Sequence, residues 1–345
     1  MKELPYPWLD GAWERLHGMR ERLPHALLIY GNEGIGKRAF GLHFAQSLLC
    51  EQQPATGHPC GHCGACRWFA DGNHPDFREV LPEALQVDPE MQEGEVEDDE
   101  GGAKGRKARS REIKIEQVRR LDSFFNVGTH RGGRRVVSIY PADVLNVASG
   151  NALLKTLEEP PPATVFLLVS SHADQVSPTV RSRCTNLHVP RPAARTAIDW
   201  LASNGVADAG AMLAEAGGAP LIALGAADDP ASAFRAILVE ALAGPGAIDP
   251  VSLAEKCEKG GAPGITTWLS RWVADVLLCK INGEVRYHPR QKIAIARLAS
   301  ISDQARFLAF FRHLARMRRV AEHPLNPRLF AEDLLIEYAR LAAHR

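Results

Sequence analysis

The feature that most constrains the fold is a glycine-rich string between a strand-like run and a helix-like run. Residues 26–30 are a short apolar run that suits a buried parallel strand, and residues 37–50 show helical spacing with an apolar stripe. Glycines in such a loop let backbone N–H groups turn toward phosphate oxygens, the helix N-terminus adds positive potential, and a lysine reaches the terminal phosphates. The sequence therefore predicts a phosphate-binding loop. Its candidate ligands are Gly31, Gly34, Gly36 and Lys37.

Two more apolar runs, residues 136–140 and 165–169, read as buried strands, and a helix is expected over 151–159 before three prolines end it. Strands that alternate with helices indicate a parallel sheet with helices on both faces. After about residue 190 the strand signals stop. We therefore predict three domains: an α/β domain over 1–190, a small helical domain over 191–232 and a larger helical domain over 233–345.

Composition excludes several classes of protein. The chain has 345 residues, 45% of them hydrophobic, and 41 Lys+Arg balance 41 Asp+Glu. A disordered chain, a fibrous repeat and a polycation that holds DNA by bulk charge are therefore excluded, although a local basic patch is not. The sequence shows no signal-peptide pattern and no run of 18 apolar residues, so we expect no membrane span and a cytoplasmic location.

Residues 83–111 interrupt the α/β pattern. Nine acidic residues lie between Glu83 and Glu100 with no Lys or Arg among them, and a basic run follows. Such a stretch buries almost nothing, which predicts a mobile surface insertion. Two interpretations remain open: a self-neutralising solvated loop, or a charged arm that touches DNA or a partner.

The metal-binding half of an Mg-ATP site is missing from the sequence. The residue after the loop lysine should be Ser or Thr, whose hydroxyl binds Mg²⁺, but it is Arg38, whose charge would repel a cation. Tyr140 and Pro141 stand where an acidic pair should end a neighbouring strand. Asp143 lies close by in sequence, but past the strand end its side chain is expected to point elsewhere. The sequence thus predicts an empty loop in a fold kept for assembly.

Four of the seven cysteines lie within 17 residues, as Cys50, Cys60, Cys63 and Cys66. Two C-x2-C turns deliver thiolates from tight loops, and four thiolates complete the tetrahedron of a structural zinc site with no open position. His58 and His62 are possible substitute ligands that four cysteines make unnecessary. A redox role for C-x2-C leaves the other cysteines unexplained. We therefore expect a zinc module over about residues 50–66.

Together these motifs resemble the bacterial clamp-loader ATPases of the AAA+ class, and the resemblance extends over the whole chain. A four-cysteine module just after the loop helix is one such feature, and several short strings are similar to that family. The matching strings are Asn151–Pro160 (NALLKTLEEP), Ser182-Arg183-Cys184, His74-Pro75-Asp76, Ile115–Arg119 (IEQVR) and Asn326-Pro327.

The resemblance implies the rest of the assignment. The fold would be an AAA+ domain with an inserted zinc module, a helical lid over 191–232 and a collar that mediates oligomerisation over 233–345. In that family the arginine of the Ser-Arg-Cys motif reaches ATP on a neighbouring subunit, which implies such a role for Arg183 rather than Arg181. The resemblance also implies that a nucleotide-sensing arginine of that family is replaced here by Leu221. The implied partners are the gamma/tau and delta subunits of the DNA polymerase III holoenzyme, the sliding clamp and primer-template DNA.

Three functions can be weighed on these residues. The first is a non-hydrolysing clamp-loader subunit that binds zinc but no ATP. The second is an active ATPase motor subunit, which Arg38 and Tyr140 oppose. The third is a zinc-ribbon nucleic-acid-binding module in an unrelated phosphate-loop protein. A basic stretch could contact phosphates or could consist of ordinary surface arginines. It contains Arg119, Arg120, Arg131, Arg134 and Arg135.

Overall fold

The structure is a computed structural model that describes residues 4–86, 109–130, 133–228, 232–244, 248–321, 323 and 325–343. Between Pro192 and Ala193 the chain divides into two compact units. All five strands of the described residues lie in the first unit. Most of the 83–111 insertion, residues 87–108, lies outside the described residues.

A five-stranded parallel sheet forms the centre of the first unit, with strand order β2-β3-β4-β1-β5. This confirms the parallel α/β class expected from the sequence. The strands are β1 Ala26–Tyr30, β2 Phe77–Val80, β3 Arg135–Ile139, β4 Thr164–Ser170 and β5 Thr185–His188.

Strand alternation explains why helices cover both faces of this sheet. Leu27 and Ile29 of β1 belong to one apolar cluster with Phe40, whereas Leu28 belongs to a second cluster with Leu153. Because successive side chains point to opposite faces, a buried apolar run requires a covering layer on each side. The helices of this unit are α1 Asp10–Gly18, α2 Lys37–Leu49, α3 Gly64–Ala70, α4 Ile115–Asn126, α5 Val147–Glu158 and α6 Pro178–Arg181.

The described residues of the second unit are helical and contain two separate apolar clusters. One cluster lies between Ala197 and Ala223, and the other between Phe234 and Tyr338. The division at 232/233 predicted from the sequence stays a prediction. The helices are α7 Ala194–Ser203, α8 Ala209–Glu215, α9 Pro220–Asp228, α10 Ser232–Ala243, α11 Pro250–Cys257, α12 Gly261–Asn282, α13 Lys292–Ile301, α14 Gln304–Val320 and α15 Pro327–Ala343.

The last helix, α15, begins at the Asn326-Pro327 string. The side chain of Asn326 accepts hydrogen bonds from the backbone N–H groups of Arg328 and Leu329, and Pro327 is the first helical residue. In the part of the chain that the structure describes, no single helix is long and apolar enough to cross a membrane. The pair Ala209–Glu215 and Pro220–Ala226, bent by 108°, passes that test together.

Three elements differ from the sequence-based predictions. The helix expected over 151–159 begins at Val147, because Asn146 caps it by accepting the N–H of Ser149 at 2.9 Å. Val147 is 82% exposed, so no apolar stripe marks this first turn. The two edge strands, β2 and β5, were not predicted from the sequence, because each buries only one apolar side chain and shows no apolar run.

Candidate functional site

The phosphate-binding loop lies between β1 and α2, as the sequence predicted, and two of its glycines are required sterically. A Cβ on Gly31 would lie 2.3 Å from the carbonyl oxygen of Val189. Gly36 has a φ of +86°, and a Cβ there would lie 2.3 Å from the Tyr6 ring. Trp8 stacks on Tyr6 and donates from Nε1 to the Ile35 carbonyl at 2.9 Å. The N-terminal segment is therefore packed on the loop.

The loop lysine is engaged by the protein itself. Lys37 Nζ donates to the Asn32 carbonyl at 2.5 Å and to Ser171 Oγ, beyond the end of β4, at 3.0 Å. Lys37 is only 5% exposed, and burial lowers its pKa from the ordinary 10.5 to about 8, although Glu33 and Asp143 oppose the shift. These contacts occupy two of the three N–H donors of the ammonium group.

The lowered pKa of Lys37 predicts a pH-dependent stability. Between about pH 8 and 10.5 the unfolded chain holds the proton that the folded chain has lost. The penalty of burying the charge is therefore fully present below pH 8 and disappears as the pH rises through this window. Lys37→Met has no charge to bury and therefore no such penalty. The unfolding free energy of wild type minus that of Lys37→Met should therefore rise by about 1–3 kcal/mol as the pH increases through this window.

Urea denaturation at several pH values between 7.5 and 10 measures this gap. Lys256→Met, which removes an exposed lysine, serves as the control and should show no such trend. A gap between wild type and Lys37→Met that is constant with pH would contradict the lowered pKa.

Arg38, which stands where a magnesium-binding hydroxyl is expected, forms a two-point ion pair. Its Nε and Nη2 each donate to one carboxylate oxygen of Glu79 in β2, both at 2.9 Å. This hydrogen bonding raises the pKa of Arg38. The guanidinium also lies 5.6 Å from the centre of the Tyr140 ring, immediately after β3. Arg38 and Tyr140, which stand where two magnesium-binding residues are expected, thus contact each other.

Asp143 corrects one sequence-based expectation. Its side chain does not point away from the loop, because a 3₁₀ turn over Ala142–Val144 turns the chain back to the end of β4. Oδ1 accepts hydrogen bonds from Ser170 Oγ at 2.5 Å and from the Ser171 N–H at 3.3 Å. Ser171 Oγ in turn accepts a hydrogen bond from Lys37 Nζ, so Asp143 is linked to the loop lysine through Ser171.

The four predicted zinc ligands come together in space. The sulfur atoms of Cys50, Cys60, Cys63 and Cys66 all lie within 4.8 Å of one another, and those of Cys60 and Cys66 are 3.9 Å apart. A tetrahedral site with Zn–S bonds of 2.3 Å has sulfurs separated by about 3.8 Å. All seven cysteines are free thiols. The donor set and its spacing fit a tetrahedral metal ion.

Backbone N–H groups around the cysteine cluster are also arranged as expected for a metal site. The N–H of Cys60 points at the sulfur of Cys50 at 3.3 Å, and the N–H groups of Cys63 and Cys66 point at the preceding cysteine sulfurs at 3.3 and 3.4 Å. Burial opposes ionisation of Cys60, but hydrogen bonds from the N–H groups of His62 and Cys63 and from the side chains of Cys63 and Cys50 together lower its pKa to about 6. Such donors orient and stabilise thiolate ligands.

Neither nearby histidine belongs to the cysteine cluster. His58 makes a hydrogen bond of 3.0 Å between its Nδ1 and His43 Nε2 and stacks on Trp13. The ring of His62 is exposed, and its Nδ1 lies 3.0 Å from the carbonyl oxygen of Cys60. Among the described residues, the four cysteines alone form a group able to hold a metal ion.

Arg183 lies just after α6 with a partly exposed side chain. Its Nη1 donates to the Thr179 carbonyl at 2.8 Å, and its Nη2 forms an ion pair with Glu158, the last residue of α5. Arg181 instead donates to the Ala173 carbonyl at 3.2 Å. Arg181 and Arg183 therefore have different partners.

The basic stretch does not form one surface. Arg135 is buried and donates to the carbonyls of Phe125 and Val127 at the end of α4, where it closes the helix. Arg119 and Arg120 are exposed on α4, and Arg131 lies outside the described residues. Arg135 is therefore removed from the candidate phosphate contacts.

Several residues of the site were missed by sequence reasoning. Glu79, Ser171, Tyr6 and Trp8 contact the loop or its basic residues from distant parts of the chain. Glu79 gave no sequence signal, because its strand β2 shows no apolar run. The other three carry no motif, because their role depends on which strands and segments lie beside the loop.

The fold and the site define a class: a phosphate-loop α/β protein whose Mg-ATP residues are replaced, with a four-cysteine module inserted after the loop helix. The sequence profile described as "DNA polymerase III, delta subunit" matches residues 13–193, and "DNA polymerase III, delta subunit, C terminal" matches residues 234–340. These two matches, taken with a relative named subunit delta' that is 33% identical over 97% of the chain, show that the chain belongs to the delta-prime family of DNA polymerase III subunits, the clamp-loader family of DNA replication that its motifs resembled.

Two relatives named subunit delta' agree with this assignment. DNA polymerase III subunit delta' of Pseudomonas aeruginosa is 33% identical, over 97% of this chain and 98% of that protein. The subunit of the same name from Escherichia coli K12 is 29% identical, over 96% of this chain and 94% of that protein. Among solved structures, a gamma subunit-related protein of Thermotoga maritima is 14% identical, covers 96% of this chain and 99% of its own, and has a TM-score of 0.46.

Proposed function

We propose that this chain is a non-hydrolysing delta-prime subunit of the clamp loader. It assembles with gamma/tau and delta subunits, supplies Arg183 to an ATP site on a neighbour and helps load the sliding clamp onto primed DNA. That role places it in the cytoplasm as part of a hetero-oligomer, with DNA reached through the complex.

One observation carries this proposal: the basic residues of the phosphate-binding loop already have partners within the chain. Lys37 is bonded to its own loop and to Ser171, and Arg38 is paired with Glu79. A guanidinium at this position gives Mg²⁺ no ligand and opposes its charge. Tyr140, which follows β3, has no carboxylate that could bind Mg²⁺ in place of the hydroxyl missing at position 38.

The other parts of the chain have supporting roles in this proposal. Zinc held by the four cysteines is structural, since four thiolates leave no open coordination position. Arg183 supports catalysis in trans, because a delocalised cation can stabilise charge that develops on a transferring phosphoryl group. The domain over 191–232 serves as the lid and that over 233–345 as the collar through which subunits assemble.

Calorimetry with Mg-ATP on the isolated chain tests the nucleotide claim. We expect no binding up to millimolar nucleotide, whereas a gamma subunit measured in the same way should bind. The purified chain should also hydrolyse no ATP, yet adding it to gamma/tau and delta should be required for clamp-stimulated turnover.

The alternative function, an active motor subunit of gamma/tau type, makes opposite predictions for the same experiment. It requires tight Mg-ATP binding by the isolated chain and turnover without partners. Either result would overturn the proposal, as would a loader that is fully active without this chain.

A further inference from the structure

The 151–160 string is a motif that the nucleotide loop and the zinc module do not explain. Most of it lies on α5, which Leu153 and Leu157 anchor with 0% and 1% exposure. The helix ends before Pro160, because prolines 160–162 have no N–H to continue it. Its last residue, Glu158, is thus a half-exposed carboxylate on an anchored backbone.

The backbone that carries Arg183 is anchored as well. Val180 and Cys184 are buried on either side of it, with 1% and 8% exposure. The Arg183 guanidinium has one acceptor from each side: the Thr179 carbonyl on Nη1 and the Glu158 carboxylate on Nη2. Two separate elements therefore hold a side chain that would otherwise sample many rotamers.

We propose that Glu158 is a positioning residue for Arg183, an inference that rests on the proposed trans-acting role of this arginine. A guanidinium has five N–H donors, and the two contacts use only two of them. The remaining donors and a side-chain exposure of 34% leave the group able to meet a phosphate on a neighbouring subunit. Glu158 restricts the rotamers of Arg183 before the phosphate is bound. The arginine side chain therefore loses less conformational entropy when it binds that phosphate.

A surface ion pair of this kind contributes little to folding stability, which separates positioning from a structural role. Removing the carboxylate should leave the thermal unfolding midpoint of the chain unchanged. It should nevertheless slow the reaction that depends on Arg183. If removing the carboxylate lowers the unfolding midpoint together with the reaction rate, Glu158 is a structural residue and the inference is overturned.

A double-mutant cycle in a loader reconstituted with gamma/tau, delta, clamp and primed DNA tests the inference. Glu158→Ala should lower the single-turnover ATP hydrolysis rate about five- to tenfold. Glu158→Gln, which keeps an acceptor oxygen but loses the charge, should show a smaller loss. In an Arg183→Ala background Glu158→Ala should cause no further loss, because the residue acts through Arg183. Glu159→Ala, at the neighbouring exposed acid, is the matched control and should leave the rate unchanged.

The outcomes distinguish the two claims. If Arg183→Ala slows hydrolysis and Glu158→Ala does not, the positioning role fails and the proposed function stands. Faster hydrolysis in Glu158→Ala, which would mean that the carboxylate sequesters the arginine, also overturns the inference. If Arg183→Ala itself has no effect, the proposed function fails and the inference fails with it.

Discussion

Replacing Arg183 with Ala should lower the rate of ATP hydrolysis at the neighbouring site of a reconstituted loader by about a hundredfold or more. Arginines supplied in trans to phosphoryl transfer contribute about 10³–10⁵ in rate, because they neutralise charge that develops only in the transition state. The structure holds the Arg183 guanidinium at a partly exposed position on an anchored backbone. Single-turnover hydrolysis measures the effect directly, since steady-state turnover averages over all ATP sites.

Two further variants sharpen this test. Arg183→Lys keeps the charge and loses the planar fork, so it should recover only part of the rate. Arg181→Ala is the matched control, because Arg181 is two residues away and bonds to the Ala173 carbonyl instead. Equal loss in Arg181→Ala and Arg183→Ala, or no loss in either, would contradict the assignment of the trans-acting arginine.

Replacing Cys63 with Ser should abolish tight zinc binding and unfold the module locally. The buried cluster of this module consists of Cys60, Cys63, Ala65 and Cys66, with Cys50 packed against it. No aliphatic core can therefore replace the metal. Structural zinc contributes about 10–16 kcal/mol of apparent binding free energy in zinc-finger peptides, so the loss of one of four ligands should release most of the module's stability.

Zinc content by mass spectrometry and the rate of proteolysis within residues 51–62 report the two effects. The wild-type chain should carry one zinc per molecule and resist cleavage, and the Cys63→Ser chain should do neither. Cys279→Ser, which removes a cysteine outside the cluster, is the control. Retention of one tightly bound zinc in Cys63→Ser would show that the four thiolates are not the ligand set.

Prediction from the sequence succeeded where the signal is local. The run 26–30 is β1 with the predicted bounds, and the loop between it and α2 is where the glycines indicated. Three of the four clustered cysteines, Cys60, Cys63 and Cys66, follow one another in short turns, which a sequence pattern can show. The edge strands β2 and β5 were missed, because an edge strand is only half buried and needs no apolar run.

Contacts between distant segments could not be predicted in the same way. The sequence shows that Arg38 cannot bind Mg²⁺, but not that Glu79 of β2 neutralises it. Asp143 was expected to point away and instead lies beside Ser171, since a turn after β3 reverses its direction. Such pairings depend on strand order and loop path, which a single sequence does not encode in any local pattern.

The sequence alone determined the class of fold, the grouping of the four cysteines and the replacement of the residues that bind Mg²⁺ in a phosphate-loop ATPase, because each depends on residue type at fixed short spacing. The tertiary structure decided what occupies the positions that were lost and what holds Arg183 in place. Lys37, Arg38 and Arg183 found partners 25 to 134 positions away in the chain. The partners of Lys37 and Arg38 are brought within hydrogen-bonding distance when the sheet assembles its strands out of chain order, and that of Arg183 when α5 and α6 pack together.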